Sequence, residues 1–122
     1  MRPLLVVDAA NVVGSVPDGW WRDRAGATAR LRDRLAPLAA AGLAGLSPPL
    51  EVVLVVEGRA RGVPGMEGVR VLAAPRSGDD AIVELVGNEP ADRTRVVVTA
   101  DRELRERVQR LGASVLGPSA VR

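Results

Sequence analysis

The chain has 122 residues, 47% of them apolar, which suits one domain over residues 1–122 with a single core and leaves no room for a second. All 17 basic residues are arginine, set against 15 acids for a net charge of +2, and lysine, histidine, cysteine, tyrosine and phenylalanine are absent. Disulfides, thiol nucleophiles, zinc–thiolate sites, imidazole bases, Walker-type phosphate loops and Schiff bases are thereby excluded, and the chemistry that remains belongs to Asp, Glu or a metal-activated water.

The first expected strand is Leu4 to Val7, a four-residue apolar run closed by Asp8. It is too short for the apolar centre of a signal peptide, and no run reaches membrane-spanning length, so a cytoplasmic protein without a membrane partner is expected. A loop containing Trp20 and Trp21 leads to the main helix, Arg24 to Leu46, where Ala27, Leu31, Leu35, Leu38 and Leu43 recur near helical spacing. Pro37 should kink or divide that helix, because proline lacks the backbone donor and crowds the preceding turn. Val52 to Val56 and Val69 to Leu72 read as the next two strands, joined by a glycine-rich mobile loop from Glu57 to Gly68 in place of a crossover helix.

Ser77 is placed to cap a second helix that carries Ile82, Val83, Leu85 and Val86 and ends near Gly87. Val96 to Val98 is the fourth strand, Asp101 to Leu111 a helix with Leu104, Val108 and Leu111 on one stripe, and Ser114 to Leu116 a weak fifth strand. The tail from Gly117 to Arg122 is expected to fray. Runs that are continuously apolar rather than alternating indicate parallel strands buried on both faces. The fold class is therefore α/β: a single-domain, open, mainly parallel sheet with helices on both faces.

In such a sheet ligands bind beyond the carboxyl ends of the strands, and acids stand there. Asp8 follows the first strand, Glu57 the second, the pair Asp79-Asp80 the third after a short turn, and Asp101 the fourth, with Thr99 at its lip. Any one of these could serve only as a strand end or helix cap. Brought together they would repel one another unless a cation intervened, and a hard divalent ion, Mg2+ or Mn2+, is the fitting cofactor. Asp79 and Asp80 cannot share a role, since one helical step turns a side chain by roughly 100°. Glu84 shares a face with Asp80 and is, with Glu57, a further candidate acid.

Three stretches, Asp8-Ala9-Ala10-Asn11-Val12-Val13-Gly14, Gly78-Asp79-Asp80-Ala81-Ile82-Val83-Glu84 and Val97-Val98-Thr99-Ala100-Asp101-Arg102, resemble in order the signatures of NYN domains of the PIN-like nuclease superfamily. The resemblance implies a Rossmannoid fold and Mg2+- or Mn2+-dependent ribonuclease activity. It implies that Asp8, one or both of Asp79 and Asp80, and Asp101 hold metal, with Asp8, Asp80 and Asp101 taken as catalytic. Asn11 and Thr99 would position water or phosphate. The glycine–aromatic pair usual between the first Asp and Asn of that family is Ala9-Ala10 here.

Arg22 and Arg24, beside the tryptophans, are candidate substrate contacts, guanidinium to phosphate and indole to base, and of the two indoles one is expected to pack and one to be exposed. Arg59, Arg61 and Arg76 follow strand ends but read more simply as solvated loop charges. The last helix reads as a solvent face of Arg–Glu pairs, with Arg102 the exception that could meet substrate. The expectation is a divalent-metal-dependent ribonuclease with RNA as its partner and a homodimer left open. The rivals are a non-catalytic RNA- or partner-binding module, and another α/β phosphohydrolase such as a nucleotide pyrophosphohydrolase or phosphatase.

Overall fold

The apolar runs pair side by side, every neighbour parallel. The structure is a computed structural model describing Met1 to Arg122. Its strands are β1 (Leu4–Asp8), β2 (Glu51–Val56), β3 (Arg70–Ala73), β4 (Arg95–Val98) and β5 (Ser114–Leu116), in the order β3-β2-β1-β4-β5. The order follows from two runs of growth outward from β1, so the chain changes direction between β1 and β4. There the first turns after the two strands diverge and leave a crevice at their carboxyl ends.

The helices divide between the faces by the two-residue alternation of the strands. Leu5, Val7, Val52, Leu54, Val56, Val96 and Val98 face α1 (Ala9–Gly14), α2 (Arg24–Leu35) and α3 (Leu38–Ala41) in a core of 18 buried residues. Leu4, Val6, Val53, Val55 and Val97 face α4 (Gly78–Gly87) and α5 (Arg102–Arg110) in a second core of 11. The expected helix from Arg24 to Leu46 is indeed divided at Pro37, but it ends at Ala41 rather than running to Leu46. No helix is long and apolar enough to cross a membrane.

Residues 9–14, to which the sequence pattern assigned no element, form α1, because the Asp8 side chain accepts from the Asn11 amide and starts a helical turn directly at the strand end. Two expectations are corrected. The connection from Glu57 to Gly68 is packed rather than free: Ala60 and Val63 are buried and Arg32 on α2 donates to the Pro64 carbonyl at 2.9 Å. The tail does not fray, since Pro118 and Val121 are buried, Val121 in the α1/α2 core, and Arg122 donates to the Ser15 carbonyl.

Arg95, at the start of β4, is only 4% exposed yet has no carboxylate partner. Its guanidinium donates instead to the carbonyls of Val86 at the end of α4 (3.1 Å) and Leu111 at the end of α5 (2.7 Å), with further bonds to Arg93 and Ala91. The negative ends of two helix dipoles thus supply the counter-charge. Gly112 adopts φ +90°, and a Cβ there would lie 2.8 Å from the Arg95 head, so glycine is needed for both the turn and the approach. Arg95→Met should lower stability by about 2–4 kcal/mol, seen as a reduced urea midpoint at unchanged slope, because it strands these carbonyls in an apolar setting.

Candidate functional site

The alternation that builds the cores also aims the acids. Asp8 continues the Leu4–Val6 series and Glu57 the Val53–Val55 series, while Thr99 continues from Val97, so all three turn toward the face covered by α4 and α5. The first turns of α4 and α5 bring Asp79 and Asp101 to the same edge. Asp8, Glu57, Asp79 and Asp101 are thereby brought near enough at this edge for their charges to act on one another, although up to 93 positions separate them.

Hydrogen bonds fix this edge. The Thr99 hydroxyl, fully buried, donates to Asp8 Oδ2 at 2.9 Å and accepts the Asp101 amide at 3.1 Å. Because the amide is only a donor, the hydroxyl proton must point at Asp8. Asn11 Oδ1 accepts the Ala100 amide at 2.8 Å, a second tie across the crevice that leaves the Asn11 amino group free. Asp101 Oδ1 caps α5 through the Leu104 amide (2.9 Å), and Glu57 Oε2 accepts the Gly78 amide (2.8 Å) at the start of α4. A Cβ on Gly78 would sit 3.2 Å from Glu57 Oε1, so glycine admits the glutamate to this position.

The choice between Asp79 and Asp80 is decided by helix phase. Asp79, Ile82 and Val86 fall at i, i+3 and i+7, the stripe that packs on the sheet. Asp80 is turned outward and pairs with Arg107 of α5 at 3.1 Å. Of the expected pair, Asp79 is the one whose charge acts on Asp8, while Asp80 lies outward on Arg107. Glu84 follows Asp80, exposed in a shallow groove with Pro75 and Ser77, and is likewise removed from the edge. Arg102 is exposed at the start of α5 and lies 3.6 Å from Glu106 on its own helix. Arg107, read as part of a solvent face, instead ties α5 to α4.

Burial dominates the electrostatics. Asp8 is 4% exposed, and desolvation lifts its pKa from 3.8 to about 6 against the lowering effect of Thr99 and the Asn11 amide, with Asp79 and Glu57 adding repulsion. The Asp79 carboxyl is raised as well, first by burial and then by Asp101 and Glu57. These groups feel one another, yet no three acidic side chains converge on a point from which one ion could be ligated. Asp8, Glu57 and Asp101 each have an oxygen engaged by a protein donor, while Asp79 and the second oxygens of Glu57 and Asp101 accept no hydrogen bond from the protein. The donor set is all hard oxygen, as Mg2+ or Mn2+ requires, and small side-chain rotations would be needed to close it.

Beside the acid edge, on the α1/α2 side, lies a cleft of about 410 Å3 lined among others by Ala10, Trp20, Arg24, Glu57, Gly58 and Arg76. Arg24 stacks over the Trp20 ring at 5.3 Å, and the two indoles meet edge to face at 6.0 Å. Trp20 is half-buried and Trp21 56% exposed, the expected division. Arg22 lies over Trp21 at 5.8 Å and does not line the cleft, whereas Arg24 and Arg76 do.

The architecture has a solved counterpart. The chain shares the fold of Rae1 (YacP) from Bacillus subtilis. A crystal structure of a tryptophan-to-leucine mutant of Rae1 superposes with a TM-score of 0.76 over 98% of this chain and 72% of that one, at 17% sequence identity. No family model and no curated protein matches the sequence. At this identity the likeness to Rae1 concerns the fold alone.

The raised Asp8 pKa has a sign that can be tested. Above about pH 6 the folded state holds a buried carboxylate that would ionise more readily when unfolded, a cost of roughly 3 kcal/mol that fades as pH falls from 6 toward 3.8. In chelator-treated protein, Asp8→Asn should therefore melt higher than the parent chain at pH 7.5, with the gap closing near pH 4.

Proposed function

We propose that this chain is a divalent-metal-dependent nuclease acting on RNA, of the NYN type within the PIN-like superfamily. One observation carries the reading: Asp8 is buried at the crevice between β1 and β4, with Glu57, Asp79 and Asp101 delivered to the same edge by separate elements. Such an arrangement is unfavourable for the bare fold and becomes favourable when a cation is shared among the carboxylates. The three signature stretches support it, since Asp8, Asp79 and Asp101 come from all three. The Rae1 likeness adds the architecture.

Asp8, Asp79 and Asp101 would hold Mg2+ or Mn2+, with Glu57 beside them. The bound ion would supply charge neutralisation and Lewis acidity at the phosphodiester. Thr99 holds Asp8 in one rotamer and points its proton at Oδ2, so the opposite carboxylate oxygen remains toward the crevice, with only a long 3.4 Å approach from the Asn11 amide. The Asn11 amino group, its oxygen fixed by Ala100, is a donor available to a phosphate oxygen. With no histidine or lysine in the chain, proton removal from the attacking water falls to a carboxylate of this edge.

A non-catalytic RNA- or partner-binding module is the second reading, favoured by the lack of three converging acids. The two separate on metal. Manganese at millimolar concentration should raise the melting temperature of the parent chain by several degrees (~1–3 kcal/mol of binding linkage) and leave Asp8→Asn unmoved. Cleavage of single-stranded RNA should require the metal and fall by more than about 100-fold in Asp8→Asn and Asp79→Asn, but much less in Asp80→Asn. Full activity in Asp8→Asn, or no thermal response to manganese or magnesium, overturns the nuclease reading. Turnover of nucleoside triphosphates in preference to RNA would favour a phosphohydrolase of another kind.

A further inference from the structure

The cleft beside the acid edge is chemically unlike it. Its lining includes the small apolar side chains of Ala9, Ala10 and Ala60 and the stacked pair Arg24 and Trp20. Arg24 and Arg76 stand at its rim with exposed guanidinium groups that make no hydrogen bond and no ion pair, although acids are close by in the fold. Two guanidinium groups without a carboxylate partner, one of them laid flat over an indole, and small apolar neighbours form the recognition set for a phosphate joined to a planar base. At about 410 Å3 the space falls in the range of pockets that take one small-molecule-sized group, roughly 300–1,000 Å3. Glu57 belongs to both the cleft and the acid edge, so an occupant of the cleft lies next to the carboxylates.

We propose that this cleft seats one unpaired nucleotide of a single-stranded RNA, its base against the Arg24–Trp20 stack and its phosphate on Arg76, immediately beside the phosphodiester presented to the acid edge. Cleavage of the phosphodiester beside the seat rests on the nuclease reading, but the cleft itself does not need that reading. A base held within an A-form helix is stacked on its neighbours and cannot enter; only a splayed base reaches an indole in a recess. The seat therefore makes the chain selective for unpaired segments. The carboxylates alone, which see phosphate and cation, have no means of making that distinction.

Trp20 is a natural reporter, because the chain has only two tryptophans and Trp21 lies outside the cleft. In a Trp21→Phe, Asp8→Asn double variant without metal, single-stranded oligoadenylate should quench the Trp20 fluorescence, and the same strand paired with oligouridylate should not. Arg76→Ala, a change at an exposed position, should weaken that binding about tenfold and, with Asp8 restored, raise KM for single-stranded RNA by a similar factor. Quenching that is absent for the single strand, or equal for the duplex, overturns the seat; if manganese-dependent RNA cleavage is nonetheless intact, the nuclease reading survives it. Quenching that is selective and sensitive to Arg76, in a chain that cleaves nothing with any divalent metal, supports the seat and defeats the nuclease reading alone.

Discussion

A carboxylate buried where the sheet changes direction is the constraint around which the rest of the molecule is arranged. Asp8 is placed there by the end of β1, and its charge is unfavourable in that position, as its pKa near 6 shows. It is tolerated because two neighbours fix it. The Thr99 hydroxyl donates a hydrogen bond to it across the crevice, and the backbone turn into α1 offers the Asn11 amide. The same two residues, Thr99 and Asn11, also bind the loop after β4 through their side chains, so the crevice walls are held by the residues that hold the acid. These ties hold the walls of the crevice to one another before any ligand arrives.

The sheet separates two chemistries by its pleat. Residues of one parity lead to the α4/α5 face and its carboxylates, and the α1/α2 side opens into a cleft with arginines and an indole. Glu57 lies at the join, one oxygen on the first amide of α4 and the other beside Gly78. Opposite charges are thus kept a few residues apart without pairing off. Pairing would have neutralised both surfaces.

At the far ends of α4 and α5 the logic is reversed. Arg95 collects the carbonyls of Val86 and Leu111 there, while Arg107 joins α5 to Asp80 in the first turn of α4. Since Asp79 and Asp101 sit at the opposite, amino ends of these same helices, anything that lets the helices slide would move the acids against each other. The buried guanidinium is in this sense part of the support of the acid edge, remote as it is from it.

Much of this was written in local pattern. Continuous β-branched runs fixed four strands, and the rule that parallel sheets bind ligands at strand ends singled out Asp8, Glu57 and Asp101. An acid that closes an apolar run is visible in one dimension. Asp79 was half-visible: it shares the i, i+3, i+7 stripe with Ile82 and Val86, but Val83 and Leu85 widen the apolar arc until Asp80 competes. Only docking of α4 on the sheet, with Glu57 on Gly78 and Arg107 on Asp80, chose the phase. Arg95, α1, the seated tail and the cleft were not legible, because each depends on groups distant in sequence. A guanidinium beside a strand looks solvated until two helix ends arrive at it. Local order sets which residues share a face, but which faces come together is decided by long-range packing, and a pocket exists only between them.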